Sequence, residues 1–204
     1  MKSFKSPIHR YKQLERPVKA ALWYTVSNII QKGISFLTIP IYIRLLTTVE
    51  YGRYSVFMSW KEILLIFVTL NLYCGIFTKA MVQYDNERDS FTSSMLGLST
   101  TTTILFFCLF LISPNFWGKV LEIDRRTILI LFLYFITYPS YTFWAVRQRV
   151  EYKYEIMIGV IILIAVLIPA ISIYLLYTTN LQEIAIIRGY LGVYIGFGSF
   201  FYLQ

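Results

Sequence analysis

Six apolar stretches, at 20–46, 54–77, 91–113, 127–146, 156–177 and 184–203, are each long enough to cross a bilayer. An α-helix rises about 1.5 Å per residue, so roughly 20 apolar residues cover a hydrocarbon core of about 30 Å. Lipid cannot satisfy open backbone groups, which leaves helices as the structure for such segments. The expected fold class is therefore all-α: a polytopic membrane protein with a six-helix transmembrane bundle over 20–204, preceded by a basic segment at 1–19. The last stretch ends at Tyr202-Leu203-Gln204 without a polar flank, so the sequence reads as the first half of something longer.

The charge pattern fits a membrane. Only 15% of the residues are charged, against about 25% in soluble domains. The net charge of +8 sits largely in segments flanking the spans, which points to topogenic signals and anionic headgroups and away from nucleic acid. Lys2, Lys5, Arg10, Lys12, Arg16 and Lys19 lead the chain, and Lys79, Arg88, Arg147, Arg149 and Lys153 fall on the same side. Arg44, Arg53, Lys119, Arg125 and Arg126 fall on the other. The bias of about two to one places the N-terminus in the cytoplasm. Cys74 and Cys108 read as buried, reduced packing residues. Pro40, Pro139 and Pro169 lie inside spans as kink points, and Gly192 and Gly196 form a small-xxx-small pair.

Polar residues inside the spans narrow the reading. Tyr24, Ser27, Gln31, Ser35, Thr38 and Tyr42 recur at spacings of three and four, which puts them on one helix face, with Asn28 and Lys32 on the adjoining ridge. Such a stripe should face a cavity or another polar helix, because lipid cannot solvate it. A lysine at mid-span costs about 2.5–3.5 kcal/mol on insertion scales. Lys32 therefore either pairs with an acid to fix packing or faces a lumen as a substrate contact. In the second stretch Ser55, Ser59, Glu62, Thr69 and Tyr73 share a face, Glu62 is the natural partner for Lys32, and Lys61 is placed to snorkel outwards. Tyr134, Tyr138 and Tyr141 stack along the fourth stretch, as a sugar-binding surface or as packing and belt residues. Arg188 opens the sixth as a headgroup anchor or a ligand.

No catalytic set emerges. His9 is the single histidine and lies in the basic segment, and no His/Cys/Asp/Glu cluster has metal spacing. Asp85, Glu87, Asp89, Glu122 and Asp124 read as solvated loop charges. The expectation is a non-enzyme with no cofactor, no metal and no nucleic-acid partner.

The run from Trp23 through Ser27-Asn28 and Gln31-Lys32-Gly33 to Thr38-Ile39-Pro40, then Glu50-Tyr51-Gly52-Arg53-Tyr54, resembles the start of bacterial polysaccharide flippases. These are the O-antigen and capsule repeat-unit translocases of the multidrug/oligosaccharidyl-lipid/polysaccharide exporter superfamily, and the segment from Phe91 to Leu98 also fits. The resemblance implies two six-helix lobes around a central cavity in the bacterial cytoplasmic membrane, of which this chain supplies the first. It implies a polyprenyl-pyrophosphate-linked oligosaccharide as cargo, with membrane lipids and a second lobe as partners. Asn28, Gln31, Ser35 and Thr38 would then contact sugar, Lys32 the pyrophosphate, and Glu62 would complete the site or pair with Lys32. Glu50-Tyr51-Gly52 reads as a structural turn. A cation-coupled multidrug exporter lobe and a non-transporting truncated membrane protein remain as alternatives. Cysteine labelling at Asn86, Asn115, Tyr152 and Asn180 is expected to alternate in, out, in, out; Asn86 and Asn115 on one side would break the six-span topology.

Overall fold

A computed structural model describes residues 15–121, 124–179 and 182–203 of the chain. Lys2, Lys5, His9, Arg10, Lys12, Glu122 and Asn180 lie outside the described residues. In chain order the helices are α1 (Arg16–Leu45), α2 (Thr48–Val68), α3 (Ile76–Gln83), α4 (Arg88–Ile112), α5 (Pro114–Leu121), α6 (Arg125–Val150), α7 (Tyr154–Thr178) and α8 (Glu183–Tyr202), with a 3-10 turn at Asp85–Glu87. The described residues contain no strand. Four helices, α4, α6, α7 and α8, are long and apolar enough to cross a membrane, so the chain is an all-α, polytopic membrane protein. α1 and α2 are long enough, at 30 and 21 residues, but fall outside that group because their polar and charged stripes dilute the apolar run. The outward faces of α4 and α7 present Leu105, Leu109, Ile112, Leu163 and Val166, a surface suited to lipid.

Local chemistry sets the helix ends. Thr47 caps α2: its hydroxyl accepts from the Glu50 N–H (3.3 Å), and the Glu50 carboxylate accepts from the Thr47 N–H (2.7 Å). The Glu50-Tyr51-Gly52 run is thus the first turn of α2, and the reading of it as a separate turn is corrected. Gly52 is not needed for a tight backbone there, since an added Cβ would meet open space. The second apolar stretch also proves shorter than expected. α2 stops at Val68, and Leu70, Asn71 and Gly75 take φ of 52°, 48° and 72°, a break after which the chain continues alongside α6 into α3, with Tyr73 beside Tyr138 and Phe77 beside Phe143. Tyr73 therefore leaves the α2 face it was assigned to. α5, unrecognised in the sequence, buries Leu121 against Phe110 and Ile128. Cys74 and Cys108 are free as expected but exposed, which corrects their assignment to the core.

The core centres on α8, whose packing against α6 and α7 is the most extensive in the bundle, while α1 leans on α7. Phe57, Leu65 and Val68 of α2 meet Leu131, Tyr134 and Phe135 of α6 and Ile187 and Leu191 of α8. Two glycines allow this approach. A Cβ on Gly189 would lie 2.7 Å from Ser172 Cα, and one on Gly198 would lie 2.7 Å from the Thr137 carbonyl carbon. Ser140 Oγ donates to the Gly198 carbonyl across the second contact. Gly192 and Gly196, the pair marked by the sequence pattern, face open space instead. Gly198→Ala is accordingly expected to lower unfolding stability in detergent by about 1–3 kcal/mol through overpacking. Gly192→Ala should leave stability unchanged or slightly raised, because alanine favours helix by about 1 kcal/mol.

Candidate functional site

Two adjoining hollows open between α1 and the α6–α8 wall, sharing Gln31 and Tyr194. The first, about 510 Å³, is lined by Gln31, Ser35, Thr38 and Tyr42 of α1 with Tyr190 and Tyr194 of α8 among others. The second, about 450 Å³, takes in Asn28, Gln31, Thr142 and Arg149 with Tyr73, Tyr138 and Tyr141. The helical repeat explains this wall: residues three and four apart share a face, so one side of α1 presents an amide or hydroxyl at each turn. The hydroxyls are already committed as donors within the helix. Ser35 donates to the Gln31 carbonyl (3.0 Å) and Thr38 to the Ile34 carbonyl (2.8 Å). Their remaining lone pairs can accept from a ligand.

Opposite stands a cluster of tyrosines. Ring centroids lie 4.9 Å apart for Tyr134 and Tyr138, 5.3 Å for Tyr138 and Tyr194, and 5.1 Å for Tyr190 and Tyr194. Tyr134 is buried and packs as core, whereas Tyr138, Tyr141 and Tyr194 line the hollows. The sequence pattern marked the α6 tyrosines but missed Tyr190 and Tyr194, whose spacing of four would have placed them together on α8.

Four of the six candidate residues, Asn28, Gln31, Ser35 and Thr38, line the cavity. Lys32 is exposed on the neighbouring ridge of α1 and lines neither hollow. Glu62 is 64% exposed, and its ion-pair partner is Lys61 at 2.8 Å, so the structure does not form the Lys32–Glu62 pair. Lys61 is the larger surprise. Its side chain is 2% exposed, its ammonium donates to the Tyr190 hydroxyl (2.8 Å), and it sits 4.3 Å from the centre of that ring. The reading of Lys61 as an outward snorkel is overturned. It lies four residues from both Phe57 and Leu65 and so shares their buried stripe. Ser55, Ser59 and Glu62 occupy the exposed side of the same helix.

Ion pairs close both ends of the bundle. At one, Arg147 pairs with Asp89 of α4 and with Glu151 (2.8 Å), which also receives Lys153 (2.6 Å) and Arg88 (3.9 Å). Burial pushes the Glu151 carboxyl up, but hydrogen bonds from Lys153 and Arg147 outweigh it and hold the pKa below its ordinary value. At the other end Arg53 pairs with Glu183 (3.4 Å), and Arg188 pairs with Asp124 (3.2 Å) and donates to Thr127 (3.3 Å). Arg188 thus ties α8 to the start of α6 through Asp124, a structural partner rather than a solvated loop charge, whereas Asp89, 85% exposed, stays solvated while pairing with Arg147.

A family model described as polysaccharide biosynthesis protein matches residues 18–154. No curated protein and no solved structure gives a match. The matched span runs from the first turn of α1 past the end of α6 and therefore includes the polar wall and Tyr134, Tyr138 and Tyr141 of the tyrosine cluster.

The burial of Lys61 sets a measurable expectation. Lys61→Ala should lower unfolding stability by roughly 2–5 kcal/mol, since it empties a packed site. Lys61→Met, which keeps the volume, should cost markedly less, and Glu62→Gln at the exposed partner under about 1 kcal/mol. Wild-type melting of Lys61→Ala in detergent would show that the side chain does not pack inside.

Proposed function

The chain belongs to the polysaccharide biosynthesis protein family, and we propose that it is a lobe of a flippase moving polyprenyl-pyrophosphate-linked oligosaccharide across the bacterial cytoplasmic membrane. The N-terminus lies in the cytoplasm, and a second six-helix lobe faces the exposed polar ridges of α1 and α2. All six long helices cross the membrane in this arrangement. The physical obstacle is the headgroup, because sugars and a pyrophosphate cannot enter hydrocarbon unshielded. A cavity between lobes would screen them while the polyprenyl tail stays in lipid, and rocking of one lobe against the other would switch its exposure.

The observation that carries this reading is the pairing of two unlike walls. Asn28, Gln31, Ser35 and Thr38 offer hydrogen-bonding groups on one side, and Tyr138, Tyr141 and Tyr194 offer aromatic surface on the other. A saccharide presents hydroxyls at its rim and apolar C–H faces, which suits such a slot. A cation-coupled multidrug exporter would favour an apolar cavity holding acidic groups. Neither hollow is lined by a carboxylate, which supports the saccharide reading over that alternative. Lys32, exposed on the ridge beside the wall, is positioned to contact the pyrophosphate where the second lobe closes. A non-transporting role is separated from this one by complementation.

Joined to a second six-helix lobe, the chain is expected to restore surface polysaccharide in a flippase-deficient cell. Lys32→Ala should abolish the restoration at unchanged abundance, and Lys32→Arg should retain part of it because charge persists. Gln31→Ala should lower it about tenfold, the loss of one buried hydrogen-bonding contact. Full restoration by both alanine variants would overturn the proposed cavity.

A further inference from the structure

The cavity contains a cation that its polar stripe does not account for. Arg149 lines the 450 Å³ hollow together with Asn28, Gln31, Tyr138 and Thr142. It stands one residue before the end of α6, at the end of the bundle that also holds the Arg147 network. Its neighbours of like charge are taken. Arg147 is held by Asp89 and Glu151, Lys153 by Glu151, and Arg88 by Glu151 and the Met81 carbonyl. Arg149 has no carboxylate partner among the described residues, and no carboxylate lines the hollow it borders. Its contact is the Tyr24 ring, 6.0 Å from the guanidinium carbon, and Tyr24 is itself tied to α6 by donating to the Gln148 carbonyl (3.3 Å). The aromatic face steadies the guanidinium without neutralising it.

We propose that Arg149 is the residue that receives the diphosphate of a lipid-linked substrate at the cytoplasmic mouth of the cavity. This rests on the reading of the cavity as a path for lipid-linked sugar. Depth supports the assignment. A lipid-borne diphosphate enters at headgroup level, where Arg149 lies in the last turn of its helix; Lys32, midway along α1, meets it only later, where the second lobe closes. With the diphosphate on Arg149, the first sugars meet Asn28, Gln31 and Thr142, and the tyrosines follow further in. A guanidinium suits the task because its planar donors engage two phosphate oxygens at once.

The phosphate of a bilayer lipid carries the same chemistry, and the test separates the two. The full chain in nanodiscs is titrated with radiolabelled geranylgeranyl diphosphate, with and without excess dioleoylphosphatidylglycerol. Arg149→Gln is expected to weaken binding at least about tenfold, and Arg149→Lys by about threefold, as charge survives without the fork geometry. Arg125→Gln, at the opposite end of the same helix, should bind as wild type. Unfolding temperatures show whether each variant is folded. Wild-type binding by Arg149→Gln would overturn the assignment, and so would displacement by phosphatidylglycerol, which would make the site a headgroup anchor. The assay reads binding and not movement. A chain that binds through Arg149 yet, joined to a second six-helix lobe, fails to restore polysaccharide refutes the transport reading alone.

Discussion

The backbone-to-backbone approach of α8 to α6 and α7 is the contact on which the rest of the bundle depends. Gly189 against Ser172 and Gly198 against Thr137 leave no room for a side chain, and they seat α8 as a wedge between its neighbours. Within lipid, apolar side chains gain little by leaving one hydrocarbon surface for another, so close packing and interhelical hydrogen bonds carry the association. The Ser140 and Ser172 hydroxyls, donating to the Gly198 and Ile186 carbonyls, supply those bonds at the same two points. The seating also decides where the tyrosines of α8 fall. A different rotation of that helix would turn Tyr190 and Tyr194 away from Tyr138 and leave the cavity with one wall.

Much of the architecture was legible because membrane insertion forces a simple relation between sequence and structure. The third to sixth apolar stretches match α4, α6, α7 and α8 within a few residues, since length and hydropathy set those ends. The α1 stripe was legible for the same kind of reason: a helical repeat fixes which residues share a face, whatever they face. What the pattern could not give was the partner of each face. Lys61 and Glu62 are adjacent in sequence and were assigned in reverse, the lysine to the surface and the acid to the interior. The polar spacing of Ser55, Ser59, Glu62, Thr69 and Tyr73 suggested that order, whereas the buried stripe of Phe57, Leu65 and Val68 dictates the opposite one. The small-residue pair at Gly192 and Gly196 misled in a similar way. Spacing marks a flat strip of helix, but only the neighbouring helix determines which strip is used.

Lys61 also shows how a charge is tolerated in this setting. Its stem packs in the core, its ammonium is held by a tyrosine hydroxyl and a tyrosine face, and a carboxylate beside it reaches the surface. Desolvating one ion of a pair while the other stays solvated lessens the penalty of a fully buried pair. The arrangement holds Tyr190 by its hydroxyl from behind, and Tyr190 is one of the residues forming the cavity wall. A structural lysine thereby fixes the orientation of a surface it does not itself reach.

The hydroxyls of α1 have a consequence for motion. Because Ser35 and Thr38 spend their protons on carbonyls of the preceding turn, they face the hollow as acceptors. With Gln31 before them they form a row that repeats about every 5.4 Å, the pitch of the helix. A donor-rich guest leaving one such oxygen finds an equivalent one a turn further on, in the same orientation and at nearly the same energy. A surface of this kind grips weakly everywhere and strongly nowhere. In the transport proposed above, it would serve as a rail, along which a guest advances without falling into a deep trap.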